Sequence, residues 1–174
     1  MKRDIQYIDV EIDKLTNSIE NVITGDRFQT DVSLVDRQDI KLATKKKGWL
    51  FYWKSEFEKP DRDVYKLTIA GNPEIIQGLL SLTENEDHIY MHLIESAPFN
   101  LGKDKVYLGV PGNLVAFACR IAFHRGFEGY VSFTSKTALI EHYKKTLGAV
   151  NVRGQLMVIN TEAALKLIEK YFEN

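Results

Sequence analysis

Tyr107-Leu108-Gly109-Val110-Pro111-Gly112-Asn113-Leu114 is the stretch whose reading decides the fold. A strand end runs into two glycines, and a nearly apolar helix then extends over about residues 113–125, closed by Gly126. The polar positions of that helix, Asn113, Arg120 and His124, fall on one stripe. Most of its circumference must therefore be buried against a sheet. The glycines let the backbone approach a ligand closely, and the unpaired N–H groups of a first helical turn, with the dipole behind them, suit a pyrophosphate. An ordinary glycine-containing loop into a buried helix accounts for the same residues, and the stretch alone does not choose between the two.

Upstream, residues 64–70, 75–82 and 88–97 read as three strands of an antiparallel meander, turned at Gly71-Asn72-Pro73 and at the polar run 83–87. Earlier still, residues 30–35 read as a strand, Asp36 as the cap of a helix over 37–47, and the aromatic run 49–53 as extended. At the start, Ile8, Val10 and Ile12 alternate with Asp9, Glu11 and Asp13 as in a short strand. Leu15, Ile19, Val22 and Ile23 then follow helical spacing up to about Gly25. Downstream come a strand at 130–134, a helix at 136–147 capped by Ser135 and stopped by Gly148, a strand at 155–159 and a helix at 161–172. Strands alternating with helices after a meander predict an α/β fold: a mixed sheet with helices on both faces.

The totals set bounds on function. A chain of 174 residues with 44% hydrophobic and 27% charged residues fits one globular domain, with 1–29 as an N-terminal extension, 30–160 as the core and 161–174 as a terminal helix. Lys+Arg 23 against Asp+Glu 24 leaves no positive excess to hold a phosphate backbone, so a nucleic-acid partner is not expected. Cys119 is the only cysteine and sits in the apolar helix, where it reads as a small buried hydrophobe. A lone cysteine gives no intramolecular disulfide and suits a reducing compartment, so a cytoplasmic address is expected. The charged start lacks a signal peptide's apolar stretch, no run approaches a membrane span of ~20 residues, and the four histidines show no paired metal spacing. No membrane association and no metal are expected.

Two side chains stand out. Tyr143 shares a helical face with Leu139, Ile140 and Leu147, so it is either a core tyrosine or a phenol at a cleft mouth, placed to protonate a leaving thiolate. Glu95 follows Ile89, Met91 and Leu93 at period two, which puts a carboxylate on the apolar face of a central strand. Such a group serves as a general base, unless the strand frays before it and the side chain is solvated.

Together the glycine turn at 109–112, Glu95, the strand 130–134 and the helix His142-Tyr143-Lys144-Lys145-Thr146-Leu147-Gly148 resemble the GNAT superfamily of acyl-CoA-dependent N-acyltransferases. The resemblance runs over about residues 30–159. In that family a turn written Arg/Gln-x-x-Gly-x-Gly/Ala follows the fourth strand, and a helix after the fifth carries Tyr-x-x-x-Gly-Phe or similar. Here Val106 stands at the Arg/Gln position, Pro111 at the second small position and Gly112 one residue late; Lys136 replaces an asparagine common seven residues before the tyrosine. Pro111 has no N–H, so the turn offers fewer donors than the family pattern.

What the resemblance implies is transfer of an acetyl or other acyl group from acetyl-CoA or a related thioester to a primary amine of a small molecule or peptide. The two central strands would splay, with Leu93, Ile94 and Ser132 along the pantetheine arm and Gly109, Val110, Gly112, Asn113 and Leu114 at the pyrophosphate. Lys136 would reach a CoA phosphate or the arm, Glu95 would take the amine proton and Tyr143 would protonate the thiolate. The last helix, with Ala164, Leu165, Ile168 and Phe172 on one face, packs either on its own domain or on the partner of a homodimer. Two rival expectations are a non-catalytic module of the same shape and a toxin-like acyltransferase acting on charged tRNA.

Overall fold

Alternating apolar residues in the middle of the chain build a sheet whose two faces are buried under different helices. The computed structural model describes residues 6–14 and 18–172. In chain order it has β1 (Ile19–Asn21), β2 (Arg27–Phe28), β3 (Thr30–Leu34), α1 (Arg37–Leu42), α2 (Trp53–Glu58), β4 (Asp63–Ile69), β5 (Gly78–Glu84) and β6 (Ile89–Ser96). Then follow β7 (Tyr107–Leu108), α3 (Val110–His124), β8 (Val131–Thr134), α4 (Ile140–Leu147), β9 (Val150–Arg153), β10 (Leu156–Ile159) and α5 (Thr161–Phe172). The main sheet has the order β3-β4-β5-β6-β8-β10-β9, antiparallel everywhere except at β6–β8. The parallel pair requires a crossover, which α3 supplies. A small sheet, β2-β1-β7, lies beside the entry to α3.

One face, with Leu80, Leu82, Met91 and Ile94, packs with residues of α3, α4 and α5 such as Leu114, Tyr143 and Leu167. The other, with Leu79 and Leu93, packs with Ile40, Trp49 and Trp53. The strict alternation expected along β6 is broken: Ser81 pairs with Leu93 but Leu82 with Met91, so His92 is bulged out of the ladder. Met91 and Leu93 thus point to opposite faces. Glu95 accordingly lies on the side of the tryptophans, whereas unbroken alternation would have placed it on the opposite face with Met91.

Near the N-terminus, the helix expected up to Gly25 gives way to β1 and a turn; residues 15–17 of that expectation lie outside the described residues. Asn21 accounts for the turn, since its Oδ1 accepts from the N–H of Ile23 (2.9 Å) and Thr24 (3.0 Å) and Gly25 takes φ +74°. Ile23 is left 93% exposed. Asp36 and Asp39 form a reciprocal capping box, but α1 ends at Leu42 rather than at Lys47, and residues 45–47 make a separate 3-10 turn. The helix α3 starts at Val110, three residues before the expected start, with Gly109 as its cap at φ 100° and Pro111 inside the first turn. Proline is tolerated there because first-turn N–H groups have no intrahelical partner.

A buried charge cluster fastens α2 to the sheet. Glu56 accepts from Arg62 (2.6 Å), Ser81 (2.7 Å), Lys59 (3.0 Å) and Gln6 (2.8 Å). Burial opposes its ionisation, but these hydrogen bonds outweigh that cost and hold the carboxyl at about 2 against an ordinary 4.5. Because the folded value is the lower one, the charge contributes stability that is fully present above about pH 4.5 and is lost as pH falls toward 2. Glu56→Gln is expected to flatten urea-unfolding stability across that window. At neutral pH it should cost about 3–5 kcal/mol, because Arg62 is stranded; an unchanged acid limb would remove Glu56 from this role.

Candidate functional site

The ladder between β6 and β8 is short. It pairs Ile89 with Val131, Tyr90 with Ser132 and Met91 with Phe133, and there it stops while β6 runs on to Ser96. Beyond that point the two parallel strands part, and the edge of β6 that faced β8 borders a wedge. Leu93 and Ile94 lie on the parted stretch, buried on opposite faces, whereas Ser132 lies within the paired part.

At the far end of β6 the chain returns through β7 into α3. The N–H of Asn113 donates to the Gly109 carbonyl (3.1 Å), so it is a helical amide and does not face a ligand. Leu114, one residue deeper in α3, is also past the first turn. Starting the helix at Val110 therefore corrects the donor set: the first-turn amides without an intrahelical acceptor are those of Val110 and Gly112. The Asn113 side chain instead ties the turn together, donating to the carbonyls of Gly109 (2.7 Å) and Ser18 (3.0 Å). Gly112 has a packing reason to be glycine, since a Cβ there would stand 2.1 Å from the Tyr171 hydroxyl.

Tyr143 reaches the wedge from α4. Its ring packs edge-on against Phe133 at 5.3 Å, and it is fully buried. Burial pushes its phenol well above the ordinary range, so it is a protonated donor at neutral pH. Glu95 has a different occupation from the one its position in sequence suggested. Its carboxylate accepts from the N–H of Leu50 (2.6 Å) and Phe51 (3.2 Å) and from the indole N–H of Trp53 (2.8 Å), and it is 2% exposed. Three donors make it the anchor of the segment leading into α2 and turn both its oxygens toward that segment. His92, at the bulge, is held neutral: burial, with the Arg62 charge behind it, lowers it to about 4. Cys119 is buried in α3, and burial pushes its thiol up to about 12.

Sequence reasoning read residues 8–13 as a short strand but did not bring it to the site. Residues 6–14 run as an extended segment along the β8 and α4 side of the wedge. The N–H of Ile8 donates to the Thr134 carbonyl (2.7 Å) and the N–H of Lys136 to the Ile8 carbonyl (3.1 Å). Val10 and Tyr143 exchange two bonds: the phenol donates to the Val10 carbonyl (2.5 Å) and accepts from its N–H (3.0 Å). Ile12 N–H donates to His142 Nε2 (2.8 Å). Asp13 accepts from the Gly109 N–H (2.9 Å) and pairs with Lys105 (3.1 Å), and Lys14 accepts at its carbonyl from the Tyr171 hydroxyl. Lys136 pairs with Asp9 at 2.9 Å. The alternation at 8–13 was the visible signal; its partner strand was not.

No family model matches the sequence, and no curated protein matches it. Solved structures do. Mutant forms of the spermidine/spermine N-acetyltransferase of Vibrio cholerae align over 79% of this chain and 96% of theirs, at 15% identity and a TM-score of 0.57. The spermidine N-acetyltransferase of the same organism, in complex with CoA and spermine, aligns over 79% of this chain and 98% of its own, at 15% identity and a TM-score of 0.53. The chain shares the fold of these N-acetyltransferase structures. A chain of the KacTA–DNA complex shares it too, with 10% identity over 80% of this chain and 98% of that one and a TM-score of 0.51. As the GNAT resemblance implied, the strand pair that parts is the parallel one flanking α3. Among the described residues no helix is long and apolar enough to cross a membrane.

Replacing Gly112 by alanine drives a methyl group into Tyr171 and is expected to cost about 1–3 kcal/mol, read from urea or thermal unfolding. Wild-type stability in that variant would mean that α5 does not close on the turn.

Proposed function

We propose that the chain is an acyl-CoA-dependent N-acyltransferase whose donor enters the wedge between β6 and β8. The observation that carries this reading is the end of the parallel ladder at Met91 and Phe133, which leaves the edge of β6 from His92 onward parted from β8. An extended donor with amide groups suits such an edge, because buried main-chain N–H and C=O groups need partners. An anionic oxygen already accepts from the Gly109 N–H, that of Asp13, with the Lys105 ammonium beside it. These groups fit a phosphate, and the amides of Val110 and Gly112 would add to them.

In the reaction a neutral primary amine attacks the thioester carbonyl, a C–N bond forms and the C–S bond breaks. The leaving thiolate takes a proton from Tyr143, and the amine's surplus proton passes to solvent, which returns one to the Tyr143 phenolate. Glu95 serves by fixing the segment before α2. The acceptor class is a small-molecule or peptide amine; the Vibrio neighbours, named for spermidine, motivate a polyamine as the first acceptor to try.

A second reading, a non-catalytic module of the same shape, is favoured by the segment 6–14 lying where the donor would go and by Tyr143 being engaged by Val10. Turnover separates the two. With acetyl-CoA and a panel of amines including spermidine, release of free thiol is expected for at least one acceptor, and Tyr143→Phe is expected to lower kcat by ~10²-fold or more. A complete absence of thiol release from a protein that binds acetyl-CoA would favour the module. A full-rate phenylalanine variant would remove Tyr143 from the chemistry.

A further inference from the structure

We propose that residues 6–14 are an intramolecular competitor of the acyl donor, a strap that closes the cleft and must be displaced before acyl-CoA can bind. The inference rests on the reading of the wedge as the donor site and adds a regulatory element to it.

The strap takes up the groups that a donor would use. The N–H groups of Ile8, Val10 and Ile12 point in turn to the Thr134 carbonyl, the Tyr143 hydroxyl and the His142 ring. A peptide is thereby laid along the same side of the wedge as an extended amide-bearing arm would be. At the far end the Asp13 carboxylate takes the Gly109 N–H and the Lys105 ammonium, a donor and a cation suited to a diphosphate. In the middle, Val10 occupies the Tyr143 hydroxyl as both donor and acceptor, so the proposed acid is unavailable while the strap is in place. Sequence accounts for the fit: apolar Ile8 and Ile12 are buried in the core, whereas the intervening Asp9 and Glu11 are exposed.

The strap is also a device that can open. Its polar contacts are individual hydrogen bonds, each contributing only about 0.5–1.5 kcal/mol net, and the exposure of Ile8 and Ile12 on opening is what a donor must offset by covering the same apolar surface. The ion pair at the rim, Lys136 with Asp9, is about half exposed and adds little. A donor that binds only the open form has an apparent Kd equal to the intrinsic one divided by the open fraction, so a strap closed ~99% of the time weakens binding about 100-fold.

The test combines calorimetric titration of the full chain with acetyl-CoA and amide hydrogen exchange at saturating acetyl-CoA. The expected result is exchange at least ~10-fold faster at Ile8, Val10 and Ile12 once the donor is bound, and at least ~10-fold tighter binding by Asp13→Ala, which frees the end of the strap at the turn. Binding with those three amides still protected would overturn the strap and leave the donor site standing. Failure of both the wild type and Asp13→Ala to bind would overturn the donor reading and the strap with it. Binding by Asp13→Ala alone would support both.

Discussion

Main-chain groups removed from water must find partners, and at Met91 and Phe133 this chain ceases to supply them from the neighbouring strand. Everything distinctive about the molecule follows from that break. Past it, β8 turns toward α4, β6 continues to Ser96, and the freed edge of β8 is answered by Ile8. The rest of the sheet is antiparallel and continuously paired, so the end of the β6–β8 ladder is the one interruption between neighbouring strands of its middle.

The bulge at His92 is the second constraint, because it decides what each face of β6 receives. Shifting the side-chain alternation by one residue sends Leu93 and Glu95 toward the tryptophans and keeps Ile94 with α3. A carboxylate on the tryptophan side is tolerable only because Leu50, Phe51 and Trp53 all donate to it. The same three bonds explain why an aromatic run of strand-like composition ends in the helix α2. Glu56 repeats the arrangement one helix turn further along, with Arg62, Lys59, Ser81 and Gln6 as its donors. The face opposite α3 is thus held by the hydrogen bonds of two buried carboxyl groups as well as by apolar packing.

Much of this was legible in the residues. The meander, the strand at 130–134, the glycine turn and the closing helix carried strong period-two or period-3.6 patterns bounded by Gly, Pro or Asn, and they lie within a few residues of where pattern reasoning puts them. What escaped it depends on partners distant in sequence. The bulge that reorients Glu95 leaves no mark on composition, since His92 is unremarkable in a strand. β9 was missed because all four of its residues are exposed at a sheet edge, where no alternation of burial is imposed. The strand-like pattern at 8–12 was visible, but nothing local says that its partners are Thr134, His142 and Tyr143. The early start of α3 was hidden by Pro111, which reads as a breaker unless the first turn is recognised as its proper place.

Tyr171 carries one further implication. From the last turns of α5 its ring covers Gly112 and its hydroxyl donates to the Lys14 carbonyl, so a single side chain bridges the entry to α3 and the end of the strap. The strap and α5 are consequently tied together at one point of the rim. A strap displaced far enough to carry Lys14 with it would take away the acceptor of this phenol, so a change in the cleft would be felt in the carboxyl-terminal helix.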